Sequence, residues 1–315
     1  LLEDRRRCLG TLLEELAPHG VRIIGMGDLT PAERRTIDEQ FESQIFPVLT
    51  PLAVDVGHPF PYVSNLSLSL AVEVRDPVLG TVHFARVKVP KRLSRWMPVP
   101  GRAHEFVPLE QVIGENLEAL FPGMEIMGWY AFRVTRYSDL EFTNLEDPED
   151  LLATIEEQVF ERRFGEVIRL EVQDDMPAHL RALLIEELRD ADYPATSSLS
   201  DADIEESGHL LDLTDLMELG ELDIPELRDA PFTSNVPPEL RDPQRSIFDV
   251  IRERDVLVHH PFDSFSATVE RFLQSAATDE HVLAIKLTLY RTSGDTAIVR
   301  ALTEAAERGK QVAVL

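Results

Sequence analysis

The 315-residue chain reads as an α+β body (residues 46–243) set between a small helical piece (1–45) and the start of an α/β unit (244–315). Three features predict this. Prolines at 47, 51, 59 and 61 end the helical pattern of the first 45 residues. Between 66 and 188 the apolar periodicity changes back and forth in the order β–β–α–β–α–β–α, the mark of an α+β domain. From 282 onward a strand, a short polar turn, a helix and a second strand make a βαβ unit, which requires parallel strands.

Taken in order, Leu2, Leu9, Leu12, Leu13 and Leu16 share one helical face, and Pro18-His19-Gly20 ends that helix. Val21 to Gly25 suits a short strand. Thr30-Pro31-Ala32-Glu33 is a capping box with proline at N1, opening a helix with Ile37, Phe41 and Ile45 on one side. The proline-rich passage from Phe46 to Val63 favours extended chain. His58 lies within it, between Gly57 and Pro59, where a functional histidine is conceivable and a structural hydrogen-bonder is the commoner case.

Residues 66–74 alternate strictly, with Leu66, Leu68, Leu70, Val72 and Val74 inward and Ser67, Ser69 and Glu73 outward, which predicts a half-buried strand. Thr81 to Val89 returns as a second strand, whose apolar phase slips at Ala85-Arg86 and predicts a bulge there. Leu109, Val112, Ile113, Leu117 and Leu120 mark a helix stopped by Pro122-Gly123. Ile126 to Val134 is a strand, and Leu151, Leu152, Ile155 and Val159 mark a helix. Glu166 to Val172 is a strand with Ile168, Leu170 and Val172 on one face, followed by a helix through Leu180, Leu184 and Leu188. Ser200 to Asp229 carries eleven acidic side chains, yet its interspersed leucines predict a folded segment with a solvated face. Its pair Glu205-Glu206 is a possible metal ligand, though no calcium-loop spacing is present.

Ile247, Phe248 and Ile251 begin a helix, and Val256 to Val258 a strand that ends at His259 and His260. Asp263 or Ser264 caps a further helix with Phe265, Val269, Phe272 and Leu273 inward. Adjacent strand residues face opposite ways, so only one of the two histidines can face a given crevice. In the βαβ unit, Val282 to Tyr290 suits a strand buried on both faces, Ile298, Leu302 and Ala305 form the helix stripe, and Gly309 is the C′ residue. The turn Arg291-Thr292-Ser293-Gly294-Asp295 lies where open parallel sheets bind ligands. An arginine, two hydroxyls and a helix N-terminus can cradle phosphate; alternatively, Arg291 pairs with a surface carboxylate and the turn is only a connector.

Composition narrows the function classes. The chain has 57 acidic against 31 basic residues, a net charge of −26, which argues against nucleic-acid binding. The sign reverses locally at 281–315, where Lys286, Arg291, Arg300, Arg308 and Lys310 face three acids. The single cysteine, Cys8, excludes an internal disulfide and a multi-cysteine zinc site and fits a reducing, cytoplasmic setting. No apolar run reaches the length of a membrane span, and no signal peptide opens the chain. It begins with Leu and stops inside an apolar strand, so a fragment is expected.

The segments FPVLTPLAVDVGHPFPYVSNLSLSLAV (46–72), FRVTRYSDLEF (132–142), RRFG-V-RLEV-MP (162–177), IRERDVLVHHPFDSFSATVERFLQSAA (251–277) and AIKLTLYRTSGDTAIVRAL (284–302), in this order, resemble the large bacterial-type polyphosphate kinase family. The resemblance implies a helical N-terminal domain, a head domain, and the opening of the first of two phospholipase-D-like α/β domains. It implies reversible transfer of the terminal phosphate of ATP to polyphosphate through a phosphohistidine, with Mg2+, in a cytoplasmic homo-oligomer. ATP, ADP and polyphosphate are then the partners. Arg291 matches the family's arginine at the magnesium–phosphate site. Having no acceptor, it would contact phosphate oxygens rather than the metal, with Thr292, Ser293, His259 and His260 as possible supports.

The family's nucleotide-contacting asparagine is expected upstream of Leu1, and its ELxARFDE and H-x-K motifs beyond Leu315. None of the nine histidines here stands in an H-x-K setting, so none is assigned as the nucleophile and the chain alone is expected to be inactive. No GxxxxGK[ST] occurs. Two further readings stay open: a non-catalytic assembly module, and a phospholipase-D-type phosphodiesterase.

Overall fold

The computed structural model describes residues 2–54, 60–137, 165–190, 199–208, 210–290 and 296–315. They fall into two compact units, Leu1–Asp223 and Ile224–Leu315.

The first unit opens with helix α1 (Leu2–Leu16), and the turn after it ends at Gly20 with φ +81°. Strand β1 (Arg22–Ile23) follows, then α2 (Pro31–Gln40). The predicted capping box is in place: Thr30 Oγ1 accepts from the Glu33 amide at 3.4 Å, and Glu33 Oε2 accepts from the Thr30 amide at 2.7 Å. A π-helical turn, Phe41–Ile45, prolongs α2, and Ile37, Phe41 and Ile45 are buried.

The sheet elements come next: β2 (Pro51–Val54), β3 (Leu68–Arg75), β4 (Val82–Lys88), β5 (Trp96–Pro98) and β6 (Glu105–Pro108). After helices α3 (Leu109–Gly114) and α4 (Leu117–Leu120) come β7 (Glu125–Arg136), β8 (Val167–Gln173), α5 (Ala178–Asp190), β9 (Ile204–Ser207) and α6 (Leu216–Gly220). The large sheet runs β2-β4-β3-β7-β8-β9, antiparallel except for the β8–β9 pair, and a small sheet runs β1-β6-β5. β2 carries its proline at a sheet edge, where a missing N–H costs no ladder bond.

Each face of the large sheet has its own core. Leu70, Val72, Ala85 and Val87 pack with Ile37, Phe41, Leu109 and Ile113 on one side. Ala71, Phe84, Phe132, Val134 and Leu170 pack with Leu180, Leu184 and Leu188 of α5 on the other. Residues of the first 45 therefore share a core with the sheet.

Three strand expectations change for this reason. β3 is not half-buried: Ser67 and Ser69, placed outward by the alternation, are 1% and 0% exposed, because a second core, which includes Val63 and α5, covers the other face of the sheet. The phase slip in β4 is not a bulge, since its register with β3 is unbroken from Lys88 to Val82. It reflects a buried arginine, Arg86, 4% exposed. Bulges occur instead in β7, where Met127 is skipped against β3, and in β8, where Ile168 is skipped against β7. The extra residue turns Ile168 out of phase with Leu170 and Val172 and leaves it 41% exposed. The predicted helix through Leu151 to Val159 lies outside the described residues, as does His58.

The second unit contains α7 (Ile247–Glu253), a π-helical turn Ser266–Glu270 running into α8 (Arg271–Thr278), β10 (Ala284–Leu287), α9 (Ala297–Glu307) and β11 (Gln311–Val314). β10 and β11 pair in parallel, as the βαβ pattern predicts. The stripe of α9 buries Ala301, Leu302 and Ala305 against Ile285, Leu273 and Ala277, and Gly309 ends the helix at φ +81°. Only one face of β10 is covered: Ile285 is buried, while Ala284 and Lys286 are exposed. Val256 to Val258 is not a strand; it has no ladder partner, and Leu257 is 93% exposed.

Candidate functional site

Arg291, Thr292 and Ser293 lie outside the described residues, which do define the two ends of their turn. On one side β10 stops at Leu287, and the chain stays tied to β11 through Leu289 N–H to Leu315 O at 2.8 Å. On the other, Thr296 caps α9, its Oγ1 accepting from the Val299 amide at 3.3 Å. The turn thus spans the carboxyl end of a parallel strand and a helix N-terminus, the place at which open sheets present backbone N–H groups to anions.

His259 and His260 belong to a turn rather than a strand end. His259 N–H donates to Asp263 Oδ2 at 2.7 Å, and Asp263 N–H donates back to His259 O at 2.8 Å. His260 Nδ1 donates to the Asp263 carbonyl at 2.9 Å, a bond in which Nε2 takes no part. That Nε2 is buried and, among the described residues, has no hydrogen-bond partner. Each ring packs on a phenylalanine, His259 on Phe262 and His260 on Phe265, with centroids 5.0 Å apart in both cases. Ser264 caps the helix that follows, its Oγ accepting from the Ala267 amide at 3.2 Å.

The acidic passage is held by arginines. Glu205 is buried and paired with Arg5 of α1, exposed Glu206 is paired with Arg181 of α5, and Asp212 lies 3.3 Å from Arg133. Strand alternation sends Glu205 and Glu206 to different sides of β9, so the pair does not converge on one ion. Among the described residues no group of three or more His, Cys, Asp or Glu side chains could hold a metal.

A cleft of about 470 Å³ in the first unit is lined by Gln111, Glu115, Trp129, Tyr130, Gln173 and Asp175, among others. Burial, then Asp175 and Glu73, push the Tyr130 phenol up. Carboxylates and aromatics with no cation do not suit a phosphate. Cations without a carboxylate partner among the described residues of this unit include Arg86 and Lys88 of β4, and the phase slip at Ala85-Arg86 is the trace of Arg86 in the sequence.

Comparison with known proteins gives this arrangement its family. The profile of the polyphosphate kinase middle domain matches residues 32–219, and that of polyphosphate kinase C-terminal domain 1 matches residues 246–315. The chain belongs to the polyphosphate kinase family. Polyphosphate kinases of Mycolicibacterium gilvum and Mycobacterium ulcerans are 46% identical over 314 residues and 48% identical over 316. Those alignments take in 98% and 97% of this chain and 42% of each relative, so the chain spans about two fifths of their length. The crystal structure of polyphosphate kinase from Porphyromonas gingivalis superposes with a TM-score of 0.70 over 98% of this chain and 44% of that one. At 24% identity this likeness speaks for the fold. Among the described residues no helix is long and apolar enough to cross a membrane.

Proposed function

We propose that this chain is part of a cytoplasmic, homo-oligomeric polyphosphate kinase that moves the terminal phosphate of ATP reversibly onto polyphosphate through a phosphohistidine. The carrying observation is the match of two polyphosphate kinase domains, in order, across most of the chain. In this reading residues 1–45 are the remainder of the helical N-terminal domain, 46–243 the head, and 244–315 the opening of the first phospholipase-D-like C-terminal domain.

Arg291 is the residue here that would meet the transferring phosphate. Its planar fork suits two phosphoryl oxygens at once, and its charge opposes the charge that spreads over them during transfer. Thr292 and Ser293 would donate hydroxyls beside it. His259 and His260 would act from their own turn, where a ring hydrogen bond to the Asp263 carbonyl orients His260. Arginine offers no lone pair, so Arg291 would meet the phosphate oxygens that Mg2+ also engages and not Mg2+ itself.

The phosphorylated histidine is not among these 315 residues in an H-x-K setting. The test pairs two samples, this chain alone and the complete protein that contains it, each incubated with ATP labelled in its terminal phosphate and Mg2+. The complete protein should form acid-labile phosphoprotein and polyphosphate, and the chain alone should do neither. Acid-labile label on a histidine of the isolated chain, or a complete protein that only hydrolyses phosphodiesters, would overturn the reading.

A further inference from the structure

Residues 77–104 contain no aspartate or glutamate, in a chain with 57 of them, yet they hold Arg86, Lys88, Lys91, Arg92, Arg95 and Arg102. Two of these six are neutralised by carboxylates from elsewhere: Arg95 by Glu110 at 2.6 Å, and Arg102 by Glu33 at 2.7 Å and Glu105 at 3.0 Å. The other four meet no carboxylate within ion-pair distance among the described residues.

The innermost of the four is Arg86. It is 4% exposed, on the α5 face of the large sheet. Its Nε donates to Ser69 Oγ at 3.1 Å and its Nη1 to the Tyr62 carbonyl at 2.8 Å. Its Nη2 is buried with no partner among the described residues. Burial pulls its pKa down, to about 10, and among the described residues no carboxylate counters it. Lys88 is the next residue outward on the same face of β4, exposed, its Nζ donating to Ser64 Oγ at 3.1 Å. Desolvation, then the charges of Arg86 and Lys91, hold its ammonium below the usual lysine value. Lys91 and Arg92 follow in an exposed turn.

A purely structural arginine would explain the bonds that tie Tyr62 and Ser69 to β4. It would not explain three exposed cations gathered beside a buried one that meets no carboxylate among the described residues, where like charges repel. Such an arrangement becomes favourable when an anion with several charges occupies it.

We propose that Lys88, Lys91 and Arg92, with the hydroxyl of Ser64 and with Arg86 behind them, form a binding site for a multiply charged phosphate anion. The exposed ammonium and guanidinium groups meet the anion. Arg86 adds positive potential from behind, where little water screens it. A single phosphate would engage one or two of these groups, whereas a chain of linked phosphates can span the row from Lys88 to Arg92. The site does not depend on the role given to Arg291.

Binding of inorganic tripolyphosphate, long-chain polyphosphate and orthophosphate is measured by calorimetry on the 315-residue chain carrying Arg291→Ala, which removes the other phosphate candidate. Expected is binding of the two linked phosphates well ahead of orthophosphate, weakened about tenfold or more by Lys88→Gln with Lys91→Gln, with a shallower salt dependence. Arg7→Gln, a distant surface change in α1, should leave it unaltered. Arg86→Met should also weaken binding if it folds, and the surface double variant decides the matter if it does not. No binding by the parent chain, undiminished binding by Lys88→Gln/Lys91→Gln, or equal affinity for duplex DNA of the same charge would overturn the proposal. None of these readouts involves turnover, so the site can fail while the kinase reading stands, and the reverse.

Discussion

Arg95 and Glu110 form an ion pair almost wholly out of water, Nη2 to Oε1 at 2.6 Å, with side chains 4% and 1% exposed. The guanidinium also donates to the carbonyls of Leu211 and Asp212, so it ties the start of β5 and helix α3 to the chain beyond β9. Glu110→Ala leaves a buried cation with carbonyls and the more distant, part-exposed Asp215 carboxylate at 3.4 Å, and should cost about 3 kcal/mol of unfolding free energy. Joint replacement by Arg95→Met and Glu110→Leu should cost clearly less than the single change. Denaturant titrations of the three chains check the ordering.

Gly114 ends α3 against the indole of Trp129, where an added Cβ would fall 2.1 Å from a ring carbon. The clash is with a broad ring packed beside the core, not with the far end of a flexible chain. Gly114→Ala should therefore destabilise by about 1–3 kcal/mol through overpacking. Trp129→Leu in the same background should recover most of that loss, measured by thermal melting.

Glu33 joins the N-terminus of α2 to the β5–β6 turn through a two-pronged pair with Arg102, at 2.8 and 2.7 Å. Bonds from Arg102 first, and then from the Thr30 amide, lower its pKa from 4.5 to about 2. The folded-state value lies below the unfolded one. The pair's contribution is therefore complete above about pH 4.5 and is lost as pH falls from 4.5 towards 2. The difference in melting temperature between the parent and Glu33→Gln should be present at neutral pH and shrink towards zero near pH 2.

In the complete protein, Arg291→Ala should lower turnover by about a hundredfold or more, as loss of one charge-stabilising donor does elsewhere. Arg291→Lys should recover part of this, keeping the charge but not the planar fork. A surface ion pair would instead be worth under about 1 kcal/mol and leave the kinetics nearly normal. Steady-state rates and melting temperatures, measured together, separate these outcomes.

The boundaries that chain chemistry sets locally could be read without the structure. The Thr30–Glu33 box, the Gly20 and Gly309 ends, the leucine face of α5 and the parallel β10–β11 pair each depend on residues within a few turns of one another. The short strands β5, β6 and β9 escaped notice because three or four residues are too few to show a period. The candidate turn at Arg291 was legible as an arginine and hydroxyls between a strand and a helix, and its family assignment came from whole motifs rather than from periodicity.

By itself, then, the sequence determined the family, the order of most elements and the caps, because these follow from short-range backbone preferences and contiguous motifs. Only the tertiary structure decided what covers each face. It covered the second face of β3 and β4 as well, so that Ser69 of an alternating strand became buried and an apparent bulge became a buried cation held by Ser69 and the Tyr62 carbonyl. It also brought Arg5 to Glu205 and Glu110 to Arg95. Whether a charge is solvated, paired or left facing a prospective ligand depends on residues far away in the chain, and alternation along one strand carries no record of them.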